Sequence, residues 1–165
     1  MNGSTLEALR RLLFFSRPEA ATLIGASLDR PRGVSDRAWR MWESGELPVP
    51  ADIAGRILDL VRWRAGALAA AEAQIAEMRA TLPRGATPDI RLCWYGSLDD
   101  WATLPGREPI QHRPQQSVLA ELAARHGATL VRFDAPAYAA WLGRRADTEA
   151  TRGAWAALAG DAAAD

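Results

Sequence analysis

Val34-Ser35-Asp36-Arg37-Ala38-Trp39-Arg40-Met41-Trp42-Glu43-Ser44-Gly45 is the stretch on which the reading of the fold turns. Ser35 stands where a helix needs an N-cap, because its hydroxyl can accept one of the free amides of the first turn. Gly45 stands where the helix must stop. Between them Trp39 and Trp42, three apart, share one face, and Arg37 and Arg40, also three apart, share another. The tryptophan spacing fits a buried face better than base stacking. The arginine face suits an anionic partner, and arginine is the side chain that can contact guanine O6 and N7 through two hydrogen bonds. A short helix of this kind, with arginines near its start, can lie in the major groove and read base edges. From Arg30 to Arg40 four arginines stand against the single Asp36.

Upstream, Ser16-Arg17-Pro18-Glu19 forms a capping box for a helix that carries Ala20, Ala21 and Ile24 inward and stops at Gly25. Before it, Leu6, Leu9 and Leu13 make one apolar stripe, predicting a helix from Leu6 to Phe14 capped by Ser4 or Thr5. Ala26 to Gly33, broken by Pro31, reads as an irregular connection. Downstream, a fourth helix is expected from Pro50-Ala51-Asp52, with Ile53, Ile57, Leu60 and Val61 on its inner face. An Ala-rich helix follows over Ala65 to Leu82 and ends at Pro83-Arg84-Gly85. Val61, Leu68, Ile75 and Leu82 recur every seven residues, with Ala71 and Met78 between them, although Arg64 and Gly66 interrupt the seam. A short contact between two copies fits this better than a long coiled coil.

The second half changes character. Asp89 to Tyr95, Glu108 to Arg113 and Thr129 to Phe133 read as strands, and Ser97 opens a short helix. Gln115 to Arg125, Ala137 to Arg145 and Thr148 to Leu158 read as helices, with an Ala-rich tail after them. The fold class expected is therefore mainly α with a small α/β part. Its domains are a helical reading domain over 1–64, a connecting helix and linker over 65–88, and a three-stranded α/β dimerisation lobe over 89–165. Exposed strand edges of such a lobe can pair with a second copy.

The chain has 165 residues, 48% hydrophobic and 24% charged, which is ordinary globular composition. Twenty basic residues balance twenty acidic ones, so no global polycation advertises nucleic acid; every basic residue is arginine. No apolar run approaches the roughly 18 residues of a membrane span. The N-terminus lacks a basic region followed by an apolar one, so a cytoplasmic protein that does not meet a membrane is expected. The single Cys93 has no partner for a disulfide and no companion for zinc, so neither a metal site nor a cofactor is expected.

Residues 4–61 resemble the Xre/Cro-type helix-turn-helix superfamily. The resemblance is carried by Leu6-x-x-Leu9-Arg10, Ser16-x-x-Glu19-Ala20-Ala21, and Val34-Ser35-x-x-x-Trp39-x-x-Trp42-Glu43-x-Gly45 with a following proline. Trp39 to Gly45, Val49-Pro50 and the segment Ile90 to Leu130 more narrowly resemble the anti-CRISPR-associated autorepressors and their YdiL-like relatives. Those are small dimeric regulators that repress phage or mobile-element operons through inverted repeats. The resemblance implies that Asp36, Arg37, Arg40 and Met41 face the bases. It also implies phosphate contacts from Ser35, Ser44 and Arg17, and a structural pair between Arg10 and Glu43. One departure is the segment Ala26 to Arg32, which lengthens the turn beyond that of these relatives; Arg30 and Arg32 in it are candidate extra phosphate contacts.

The function expected is a sequence-specific, DNA-binding transcription repressor. It would act as a homodimer on inverted-repeat double-stranded DNA and autoregulate its own operon; RNA binding is left open. An antitoxin-like protein, or an interaction module gripping a partner through the second lobe, is the alternative. Catalysis is not expected. His112 and His126 lie apart from each other, no recognised catalytic motif is present, and Cys93 alternates with Leu92 and Trp94 as a sheet residue does. Asp36 can read a cytosine amino group or simply favour the positive end of its own helix.

Overall fold

Asn2 opens the first helix. Its side-chain oxygen accepts the Thr5 amide at 2.8 Å, and α1 runs over Gly3–Leu12, most of a turn earlier than a start at Leu6 capped by Ser4 or Thr5. Phe14, expected inside that helix, takes a left-handed backbone (φ 64°), which turns the chain so that the Phe15 amide donates to the Arg10 carbonyl at 3.1 Å. Both halves of the Ser16/Glu19 capping box form at the start of α2, Arg17–Leu23. Ser35 caps α3, Asp36–Glu43, by accepting the Ala38 amide at 3.1 Å. The computed structural model describes residues 1–159, so the Ala-rich tail over 160–165 lies outside the described residues.

The two helices expected on either side of residue 64 are one. α4 spans Ala51–Thr81 without a break. Gly66 does not end it, since glycine inside a helix costs only about 1 kcal/mol and no proline interrupts the segment. Along the seven-residue seam Ile75 is buried within the chain, Val61, Leu68 and Leu82 are half-buried, and Met78 is exposed.

The chain divides into two compact units, the first made of Met1–Ala67 with Arg113–Ser117, the second of Leu68–His112 with the described residues from Val118 onward. The first unit closes over Leu6, Leu13, Ile24, Trp39, Ile53 and Ile57, all fully buried. α3 packs against both α1 and α2. α1 approaches α3 so closely that a Cβ added at Gly3 would collide with the Trp42 and Glu43 carbonyl oxygens.

The second unit holds β1 (Arg91–Trp94), α5 (Leu98–Ala102), a 3-10 turn (Pro109–Gln111), α6 (His112–His126), β2 (Thr129–Arg132), α7 (Ala135–Leu142) and α8 (Glu149–Ala159). The strands pair in parallel, Arg91 opposite Thr129 through Trp94 opposite Arg132. Two strands stand where three were expected, because Glu108 to Arg113 forms the 3-10 turn and the start of α6. Pro109 and Pro114 explain the change. Neither has an amide to give a neighbouring strand, and both sit in first turns, where a helix needs none. α6 ends at Gly127 in a left-handed cap (φ 68°), with Arg79 Nη2 3.2 Å from His126 Nδ1. Among the described residues no helix is long and apolar enough to cross a membrane.

Aromatic rings fill this unit. Tyr95, Trp101, Phe133, Tyr138 and Trp155 are buried, with ring centroids as close as 5.1 Å for Tyr95 and Phe133. Two guanidinium groups are stacked among them. Arg107 lies 4.1 Å from the Tyr95 and Trp101 ring centres, and Arg152, only 1% exposed, lies 4.9 Å from that of Phe133. Arg152 reaches Asp147 through two hydrogen bonds of 2.9 and 2.8 Å. Those bonds hold the Asp147 carboxyl at about 2, well below its ordinary 3.8. Burial, with the Asp147 charge beside it, pushes the Tyr138 phenol up to about 12, and burial raises the Cys93 thiol.

Because the folded state depresses the Asp147 carboxyl, its contribution to stability is whole above about pH 4 and disappears as pH falls toward 2. Asp147→Asn should therefore lower the urea midpoint at neutral pH, followed by tryptophan fluorescence. The gap from the natural protein should narrow steadily between pH 4 and 2.

Candidate nucleic-acid interface

α3 has a buried face and an open one. On the buried face Trp39 and Trp42 meet edge to face, with centroids 5.7 Å apart and planes at 61°. At its last turn the Glu43 carboxylate gathers three donors. Oε1 accepts from Trp39 Nε1 at 2.7 Å and from Arg10 Nε at 2.6 Å, and Oε2 accepts from Arg10 Nη2 at 3.2 Å. Arg10 Nη1 donates onward to the Phe15 carbonyl at 2.8 Å. Both partners are under one-tenth exposed, so the pair ties α1, the turn into α2 and α3 together out of reach of water.

The open face carries the remaining side chains. The exposed Ser35 hydroxyl is engaged by the cap. Asp36 Oδ2 accepts from Arg40 Nη2 at 3.0 Å, and Oδ1 lies 3.9 Å from Arg17 Nε in the first turn of α2. Arg37 is exposed and has no hydrogen bond or ion pair among the described residues. Met41 is half-buried, and its carbonyl accepts the Leu47 amide at 3.0 Å. Ser44 Oγ lies 3.2 Å from the Met41 carbonyl and 2.9 Å from Glu46 Oε1. Arg17, Asp36 and Arg40 thus meet where the first turns of α2 and α3 adjoin, with Arg37 beside them in sequence and unengaged.

The long connection between α2 and α3 does not push them apart. Ser27 and Arg30 exchange two backbone hydrogen bonds of 3.0 Å, closing a tight hairpin with Leu28 wholly exposed at its tip. The Val34 amide then returns to the Ala21 carbonyl at 2.9 Å. Gly33 makes the return possible: its φ is +76°, and a Cβ there would collide with the Ala21 carbonyl oxygen. The excursion leaves and re-enters at one place, so α3 starts as if the extra residues were not there. Arg30 is drawn to Asp52 in the first turn of α4, whereas Arg32 is exposed without a hydrogen bond or ion pair among the described residues.

Sequence reasoning did not anticipate three contacts that hold this face: Arg30 with Asp52, Arg56 Nη1 on the Ile24 carbonyl at 3.1 Å, and Arg113 Nε on Glu19 Oε1 at 2.7 Å. Burial would raise the Glu19 carboxyl, but the Ser16 hydroxyl and amide together with Arg113 outweigh it and hold the group below its ordinary value. The glycines flanking the hairpin, Gly25 and Gly33, were the available signal for its closure; the arginine pairings left none.

The family model described as Aca2/YdiL-like matches residues 1–131. The chain belongs to the Aca2/YdiL-like family. The match takes in α1 to α6 and ends inside β2, so α7 and α8 follow the residues that define the likeness. No curated protein matches the chain significantly. Membership of the Aca2/YdiL-like family points to a regulator of the anti-CRISPR-associated kind.

Within this Aca2/YdiL-like chain, removing one partner of a buried ion pair leaves the other charge without compensation, which costs about 3–5 kcal/mol. Glu43→Ala should lower the stability of the first unit by that order in urea unfolding, while Glu46→Ala, at an exposed position nearby, should leave it unchanged.

Proposed function

We propose that the protein is a sequence-specific DNA-binding repressor in which α2 and α3 act as a helix-turn-helix pair and α3 enters the major groove. The observation that carries the reading is the pairing of the two faces of α3. Trp39, Trp42 and Glu43 lock one into the core, and Arg37 and Arg40 stand on the other beside Arg17. Arg37 and Arg40 read base edges, with Met41 next to them on the groove floor. Arg17, Ser35, Ser44 and Arg32 contact phosphates, while Arg30, held by Asp52, serves the hairpin instead.

One such helix covers few base pairs, and each good two-bond contact discriminates by about 1–3 kcal/mol. A homodimer on an inverted repeat doubles that readout, with reading helices roughly 34 Å apart. We assign the dimer contact to the second unit. Repression is steric: the occupied repeat excludes polymerase from the promoter of the protein's own operon, with no catalytic step and no cofactor.

Arg37→Ala should abolish the preference for a duplex selected by the natural protein from a random pool over a scrambled one. Circular dichroism should show the helices unchanged. A variant that still discriminates in a gel-shift titration would remove Arg37 from the reading surface.

A further inference from the structure

Asp36 places an anion in the middle of a cationic surface. Its Oδ2 holds Arg40 at 3.0 Å, one turn along the same helix. Its Oδ1 is buried, has no hydrogen-bond partner, and lies 3.9 Å from Arg17 Nε, which is ion-pair distance but too long for a hydrogen bond. The two arginine side chains remain 58% and 41% exposed, so both are open to an outside anion. One carboxylate therefore offsets part of the charge of two arginines and bends Arg40 back along α3 rather than out from it. The looseness on the Arg17 side means that a phosphate oxygen could take over with a better bond than the one it displaces.

We propose that Asp36 is a specificity-determining residue, an internal stand-in for a DNA phosphate that keeps Arg17 and Arg40 occupied until a matching site draws them away. The inference rests on the DNA-reading role proposed above. On a matching duplex Arg40 exchanges Asp36 for a base edge and Arg17 exchanges it for a phosphate, so the latch opens against two new contacts. On a non-matching duplex there is no base contact to hold Arg40 outward, and Asp36 continues to repel the backbone and to compete for both arginines. Affinity is lost everywhere, but more is lost at wrong sites. A carboxylate that served only the positive end of its own helix would not need the two arginines around it, and Ser35 already caps that end.

The test compares the full chain with its Asp36→Asn variant, which keeps the shape and removes the charge, on a random-sequence duplex and on a duplex selected by the natural protein. Salt is varied between about 0.05 and 0.3 M. The uncharged variant should bind the random duplex about tenfold more tightly near 0.1 M salt, with the log–log salt slope steeper by about one, as expected when one further phosphate is neutralised. The selected duplex should gain less, so the preference for it falls. Asp36→Glu, which keeps the charge, should retain the natural slope.

Three results would overturn the inference. Both affinities could fall together with the melting temperature at an unchanged slope, which is a helix-stabilising role. Selected-duplex binding alone could be lost with random-duplex binding unchanged, which is base reading by Asp36. Natural protein that enriches no sequence from a random pool and does not bind the random-sequence duplex would remove the DNA-reading role itself and this inference with it.

Discussion

A single carboxylate decides which way the third helix faces. Glu43 accepts from Trp39 in its own helix and from Arg10 in α1, and Arg10 passes the connection to the Phe15 carbonyl. A buried pair of this kind adds little net stability, because desolvating two charges costs about as much as their attraction returns. What it adds is geometric. Rotating α3 about its axis would strand the Trp39 N–H and the Arg10 guanidinium without acceptors, so only one rotation satisfies every donor. That rotation puts Trp39 and Trp42 inward and leaves Ser35, Arg37 and Arg40 open. The missing side chain at Gly3 lets α1 come close enough for the arrangement to close.

The chain has twenty arginines and no lysine. Many of those guanidinium groups are spent inside the chain. Arg107 and Arg152 sit over aromatic rings of the second unit while bonding to Glu149 and Asp147 respectively, a task that suits a planar, delocalised cation better than an ammonium. Arg56 reaches the end of α2, Arg64 bonds to Ser117, and Arg113 reaches the cap of α2. A chain of zero net charge can therefore still present a local cationic edge. Arg107, Arg113 and Arg152 are paired with carboxylates in place, whereas Arg17 and Arg40 share the single Asp36 and Arg37 stands exposed beside them.

Local rules made part of this legible. Ser35, Gly45 and the three-residue spacing of the tryptophans mark α3 and its buried face, and Ser16 with Glu19 marks the start of α2, because each signal lies within one helical turn. The long helix was harder to read: Arg64 and Gly66 look like an interruption, yet neither costs enough to break a helix packed at Ile57, Leu60 and Ile75. Glu108 to Arg113 reads as a short strand, but Pro109 and Pro114 lack the amides a strand would use and fit the first turns of the 3-10 turn and α6. Contacts between distant residues, such as Arg113 with Glu19 or Arg107 with Glu149, have no sequence signature, since pairing over such separations is set by the finished fold. Asp36 belongs to both kinds. Its spacing from Arg40 is a visible helical pair, but its approach to Arg17 depends on how α2 and α3 pack.

Backbone hydrogen exchange on the intact protein, with and without a duplex it has selected, tests the central claim most directly. If α3 is a groove-reading helix held by its tryptophan face, amides at 35–41 and at the start of α2 should gain protection with the duplex, and those of β1 and α8 should not. Protection confined to the second unit, or no change along α3 while the duplex is bound, would contradict the account.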